Sequence, residues 1–175
     1  VREYDNLVVG RTLSKAFGLA GLRLGYGVAP PWIARQYRRV APLFSISSLS
    51  LAAGISALRD LDWMRQSVSK IISERERMQR ILACSNPSEG NFLYVHTEEK
   101  SAVVAERLLA RGVIVRDCSS LPGSGEHYLR VTVGRPEQND RFLSEFRKAD
   151  TISGQAFSYS PEVTKPIFTP ISFSV

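Results

Sequence analysis

Sulfur and imidazole ligands are scarce. The two cysteines, Cys84 and Cys118, lie far apart with no CxxC spacing, which excludes a disulfide scaffold and a thiolate zinc site. Two histidines, His96 and His127, are too few for a histidine-built centre, so no metal is expected. No basic segment leads into an apolar core, so no signal peptide is expected. The longest uncharged run, Val40 to Leu58, holds five serines, a proline and a glycine in 19 residues, which makes it a poor lipid span. Acid is missing from one third of the chain. Asn6 to Arg59 carries seven bases (Arg11, Lys15, Arg23, Arg35, Arg38, Arg39, Arg59) and no carboxylate, whereas from Asp60 onward fifteen bases meet fifteen acids. The net charge of +6 therefore resides in that acid-free stretch, a setting that suits an anion. Its bases are spaced by Leu, Val, Ala and Gly, which favours a small buried anion over a nucleic acid held on a basic face.

The 175 residues, 43% hydrophobic and 23% charged, suffice for one packed domain with a small appendage. Val1 in place of an initial Met suggests a piece of a longer protein. Asn6–Thr12 and Leu24–Ala29 read as strands, joined by a glycine-containing stretch with one helical turn at most. Pro31 suits the first turn of a helix to about Val40. A loop through Ser47 precedes a helix capped near Ser48 and running to Arg59. Asp62 to about Cys84 is a long amphipathic helix with Asp62 as its cap. Strand Asn91–Thr97, helix Ser101–Arg111, strands Val113–Asp117 and His127–Gly134, and helix Pro136–Ala149 then form a compact α+β unit with helices on one side of a small sheet. Thr151–Val175, rich in Ser, Thr, Pro and aromatics, reads as an irregular or disordered tail.

Lys15 departs from an ordinary surface lysine. It follows an apolar strand, sits among apolar residues and glycines, and has no acid within reach in sequence. Desolvation and nearby cations disfavour an ammonium, and a lysine so tuned attacks carbonyl carbon to give a Schiff base. Ser14 adds a hydroxyl, and Arg23 adds a planar fork suited to phosphate. An aldehyde for the lysine and a phosphate for the arginine describe pyridoxal 5′-phosphate.

The segment Thr12-Leu-Ser-Lys-Ala-Phe-Gly-Leu-Ala-Gly-Leu-Arg-Leu-Gly-Tyr26 resembles the cofactor-lysine segment of the histidinol-phosphate aminotransferases, which are fold-type I enzymes. The resemblance continues through Ser45–Ser50, Glu89–Leu93 (EGNFL), Gly112–Asp117 (GVIVRD) and Leu129–Gly134 (LRVTVG), five blocks in family order over residues 1–149. It implies an α/β fold, the C-terminal part of a fold-type I transferase. Residues 1–45 would end the large cofactor domain, 46–60 would be a connecting helix, 61–150 the small α+β domain and 151–175 a tail without counterpart. It implies that Lys15 bonds the cofactor aldehyde and moves the substrate proton, with Ser14, Arg23 and, more weakly, Thr12 on the cofactor phosphate. Arg130 would grip an α-carboxylate, or the phosphate of histidinol phosphate. Arg116 would meet a substrate phosphate, and Asn91 would contact substrate or shape the backbone. The implied reaction converts histidinol phosphate and 2-oxoglutarate to imidazole-acetol phosphate and glutamate, in a cytoplasmic homodimer without nucleic-acid or membrane partners.

Bland readings stand beside these roles. Arg116 precedes Asp117 and reads equally as a strand-end ion pair. Arg130 is flanked by apolar strand, where an unpaired buried guanidinium is costly. Asn91 also fits a strand end, and Tyr26 and Tyr94 fit core aromatics. His96 and His127 fit surface or packing positions. A phosphothreonine decarboxylase or an aromatic-amino-acid aminotransferase of the same fold shares the lysine and arginine positions. A basic RNA-binding module using Arg35, Arg38 and Arg39 on one helix face is the reading from another class. Ser45 stands where many relatives carry asparagine. The family's glycine-rich phosphate loop, ring-stacking aromatic, cofactor asparagine and pyridine-nitrogen aspartate are absent, so the chain alone is expected to be inactive and to expose apolar edges.

Overall fold

The computed structural model describes residues 3–83 and 85–150. Cys84 and the segment 151–175, expected to be a tail, lie outside them. Along the chain run β1 (Val9–Thr12), a 3-10 turn (Ala20–Leu22), β2 (Gly25–Val28), α1 (Pro31–Val40), α2 (Ser48–Arg59), α3 (Leu61–Ile81), β3 (Phe92–His96), α4 (Ser101–Ala110), β4 (Arg116–Asp117), β5 (Tyr128–Thr132) and α5 (Pro136–Ala149). The contacts divide into two compact units, Val1–Ser69 and Lys70–Val175, with the boundary inside α3.

In the first unit β1 and β2 form an antiparallel ribbon, with Thr12 opposite Gly25. Pro31 opens α1 where no amide hydrogen is needed. Ser47 caps α2 by accepting the Ser50 amide at 3.0 Å, and so satisfies one of the free amides of its first turn. At the start of α3 the Trp63 amide donates to Asp60 Oδ1 at 3.1 Å. The cap is thus Asp60, two residues before the expected Asp62. Apolar side chains at Leu43, Phe44, Leu49 and Val40 are exposed. Tyr26 is exposed as well, not the core aromatic expected, because the described residues cover neither face of β2, whose four residues are all exposed.

The second unit is an antiparallel sheet of order β3-β5-β4. Alternation along the strands sends Leu93, Val95, Leu129 and Val131 inward against Met78, Leu82, Val104, Leu108, Phe142 and Phe146, one continuous core. The opposite residues, Phe92, Tyr94, His96, Tyr128, Arg130 and Arg116, share the other face, as the registers require. The expected strand Val113–Asp117 shortens to Arg116–Asp117. Val113 and Val115 pack against the core while Ile114 is exposed, so the segment alternates like a strand without joining the ladder. Asn139 ties α5 to the sheet end, donating to Gly134 O at 3.0 Å and receiving the Gly134 amide at 2.8 Å.

Candidate functional site

The lysine sits in a loop closed at both ends. The Leu13 amide donates to Leu24 O at 3.0 Å across the ribbon, and the Leu19 amide donates back to Leu13 O at 3.1 Å. Gly18 turns the chain at φ 68°, a left-handed conformation that glycine adopts without a side-chain penalty; its amide reaches Lys15 O at 2.9 Å. Leu13 and Leu24 are the buried apolar side chains of this loop and point at Gly54 of α2. A Cβ there would stand 3.0 Å from Leu24 Cδ1 and 3.5 Å from Leu13 Cδ1, so the helix comes as close as it does because residue 54 has no side chain. Ser50 donates to Leu22 O at 3.2 Å. Helix α2 thus grips the loop by two leucines and one hydroxyl. The helix was legible in the sequence, but this use of Ser50 and Gly54 was not; its signal is a glycine and a serine one turn apart in an apolar helix.

Anchoring the leucines inward leaves Lys15 and Arg23 exposed and Ser14 half-buried. Thr12 is engaged locally, its hydroxyl accepting the Ser14 amide at 3.1 Å. Arg23 holds φ 51° as the cap of the 3-10 turn; among the described residues its guanidinium donates once, to Ala20 O at 3.0 Å. A left-handed non-glycine residue stores strain, which clusters at functional positions. Neither Lys15 nor Arg23 makes an ion pair among the described residues. The desolvated lysine inferred from the apolar letters around it is corrected here. Lys15 is exposed, because the buried leucines of the loop, Leu13 and Leu24, pack toward Gly54 of α2 and leave the amine uncovered.

In the second unit Arg116 and Arg130 stand directly opposite one another on β4 and β5. Two like charges in register repel, and neither makes an ion pair among the described residues, although Arg116 exerts a weak Coulombic pull on Asp117. The strand-end ion pair considered for Arg116 is not formed. Asp117 points to the other face, where Ser101 Oγ donates at 2.6 Å, Ser119 Oγ at 2.6 Å and the Ser119 amide at 3.0 Å. Burial pushes that carboxyl up, but these donors outweigh it and hold it below the ordinary aspartate value. Arg130 is exposed, contrary to the buried guanidinium expected from Leu129 and Val131, because alternation alone sends those two into the core. Its guanidinium carbon lies 5.5 Å from the centre of the Phe92 ring. Asn91 enters β3 with its carbonyl accepting the Val133 amide at 3.0 Å.

Tyr94, opposite Arg130, stacks on Tyr128 at 4.4 Å and hydrogen-bonds Ser124 Oγ. His96 stacks on His127 at 5.9 Å, consistent with packing positions. Cys118 is fully buried, and burial pushes its thiol up, which suits a core residue and not a nucleophile. Arg38 and Arg39 donate within α1, to Ala34 O and Gln36 Oε1, as on a solvated helix face. No group of metal-ligating side chains occurs among the described residues, and none of their helices is long and apolar enough to cross a membrane.

Comparison with known proteins gives concordant matches. A family model for aminotransferase class I and II covers residues 1–146. Histidinol-phosphate aminotransferase from Methanosarcina mazei is 45% identical over 148 residues, 83% of this chain and 40% of the relative. Histidinol-phosphate aminotransferase 1 from Archaeoglobus fulgidus is 46% identical over 147 residues, 82% and 45% of the two chains. Among solved structures, histidinol-phosphate aminotransferase from Sinorhizobium meliloti in complex with pyridoxal-5′-phosphate superposes with a TM-score of 0.74 at 28% identity, covering 83% of this chain and 41% of that one. The enzyme of that name from Clostridium acetobutylicum gives a TM-score of 0.80 at 22% identity over 85% and 47%, a likeness of fold. The chain spans about two fifths of the length of the curated relatives it matches.

Proposed function

The chain belongs to the aminotransferase class I and II family, and from that premise we propose that it is the lysine-bearing part of a pyridoxal phosphate-dependent histidinol-phosphate aminotransferase. The observation that carries this reading is the acid-free loop that leaves Lys15 and Arg23 exposed beside a half-buried Ser14 while Leu13 and Leu24 fix it to α2. Its donor set fits the cofactor: a guanidinium that donates once among the described residues and the Ser14 hydroxyl suit a phosphate, and an amine without a carboxylate partner among them suits an aldehyde. Thr12, whose hydroxyl supports the Ser14 amide, shapes the loop more than it reaches a ligand.

When bound, pyridoxal phosphate supplies an electron sink for charge developing at the substrate's amine-bearing carbon. The chain's own residues hold and orient. Arg23 and Ser14 hold the phosphate, and Lys15 Nζ holds the aldehyde carbon and later moves the proton at the substrate carbon. Arg130 and Arg116, an opposed pair of forks without an ion-pair partner among the described residues, bind the anionic ends of the two substrates: the phosphate of histidinol phosphate and the carboxylates of 2-oxoglutarate or glutamate. Asn91, just before β3, accepts the Val133 amide through its carbonyl and on this reading shapes the backbone at the end of the sheet. Alone, at two fifths of the relatives' length, the chain is inactive on this reading; a homodimer of the complete enzyme in the cytoplasm is its working form.

The test joins this chain to the upstream part of a relative and follows glutamate formed from 2-oxoglutarate. Histidinol phosphate is the expected amino donor, ahead of phosphothreonine and aromatic amino acids, and Lys15→Ala abolishes turnover. Equal rates with all donors, or turnover that survives Lys15→Ala, would overturn the assignment.

A further inference from the structure

Helix α3 buries a charge where its pattern calls for an apolar residue. Ile71, Met78 and Leu82 line the face of this helix toward the core, and Arg75 lies on that same stripe with its side chain 8% exposed. A guanidinium does not shed its proton in a protein, so its burial is costly unless its donors are used. They are used sparingly. Nη1 donates to Gly90 O at 3.1 Å, Nη2 lies 3.7 Å from the fully exposed Glu89 carboxylate, and buried Nε has no partner among the described residues. An exposed ion pair at that distance contributes little. What remains is a charge-assisted bond to one backbone carbonyl, in the turn that delivers Asn91 and Phe92.

That turn is held from α3 at a second point and from within. Gln79, one helical turn after Arg75, donates to Asn86 O at 3.3 Å. Ser88 donates to Phe92 O at 2.6 Å and accepts the Gly90 amide at 3.1 Å. A Cβ on Gly90 would stand 3.2 Å from the Phe92 ring, and that ring lies beneath the Arg130 guanidinium. A contact path therefore runs from Arg75 through Gly90 and Phe92 to Arg130, all within the second unit.

We propose that Arg75 is a positioning residue for anion recognition: its buried guanidinium fixes the Glu89–Asn91 turn and, through the Phe92 ring, the orientation of Arg130. The proposal rests on the reading of Arg130 as a substrate-anion ligand, and its test separates the two. The full 175-residue chain is titrated with histidinol phosphate, followed by phosphorus NMR, and hydrogen exchange is measured by mass spectrometry in the same variants. Arg75→Met fills the site with an apolar chain of similar length, an exchange of buried charge for packing that is often neutral for stability. It is expected to speed exchange in residues 86–92, to leave the α4 and α5 peptides at parental rates, and to weaken binding about tenfold, the scale on which misplaced ligand groups act. Arg75→Lys, which keeps a donor for Gly90 O, recovers most of the affinity. Parental affinity in Arg75→Met, together with a clear loss in Arg130→Gln, overturns the positioning role alone. Parental affinity in Arg130→Gln overturns the underlying reading, and the positioning role with it.

Discussion

Replacing Gly54 by Val tests the way the lysine loop is held. The Cβ of any side chain at 54 would begin 3.0 Å from Leu24 Cδ1 and 3.5 Å from Leu13 Cδ1. In Gly54→Ala the leucine terminus has to give by a few tenths of an ångström, while the helix gains about 1 kcal/mol of propensity, so the two effects roughly cancel. Valine adds two methyl groups to a contact already closed and recovers less propensity, and overpacking of this kind costs about 1–3 kcal/mol. For a unit of this size unfolding in urea with a slope of about 1 kcal/mol/M, the midpoint falls by roughly 1–3 M. Both tryptophans, Trp32 and Trp63, lie in the first unit, so their emission reports its unfolding directly. The expected order is parent close to Gly54→Ala, with Gly54→Val well below both. A Val variant with the parental midpoint would show that α2 does not press on Leu13 and Leu24, and the account of how Lys15 is presented would fail.

The second unit supplies two more predictions. Phe146 is fully buried in the core cluster and stacks on Phe142 at 5.4 Å, so Phe146→Ala is expected to cost about 3–5 kcal/mol by transfer and cavity terms, read as a lowered calorimetric transition; a loss under 1 kcal/mol would refute the packing. Asp150 is fully buried and accepts the Glu98 and Glu99 amides at 3.2 and 3.3 Å; burial raises its pKa above the ordinary 3.8, against the pull of those amides. The folded chain therefore keeps this proton where the unfolded chain has lost it, and the contribution is full below pH 3.8 and is lost as pH rises through the raised folded value. The difference in urea midpoint between parent and Asp150→Asn should shift against the parent across that window; a difference independent of pH would refute it.

The sequence made most of the elements legible where the local chemistry is unambiguous. Pro31 and Pro136 mark helix starts, and the second half of the uncharged run that stops at Leu58 becomes most of α2 once Ser47 caps it. Asp60 and Asp62 are interchangeable as letters, and only the Trp63 amide chooses between them. Val113–Val115 has the alternation of a strand, yet alternation reports which side chains are buried and says nothing of whether the backbone finds a ladder partner. The same gap explains Lys15 and Arg130: apolar neighbours in sequence point to burial around the charge, whereas leucines and valines turned to one side leave the charged residue on the other. The opposition of Arg116 and Arg130 depends on register between strands far apart in sequence, beyond any local pattern. Arg75 did leave a trace, a base on the apolar stripe of an amphipathic helix.

The central claim is that Lys15 is the amine that takes the cofactor aldehyde. Of the five lysines, Lys100 and Lys148 are engaged by Glu126 and Glu145 at 2.9 and 2.8 Å, whereas Lys15 has no such partner among the described residues. Treating the chain with pyridoxal phosphate, reducing with borohydride and mapping the labelled peptides measures this directly. The account predicts label concentrated on the peptide containing Lys15; label spread evenly over Lys15, Lys70, Lys100, Lys148 and Lys165 would contradict it.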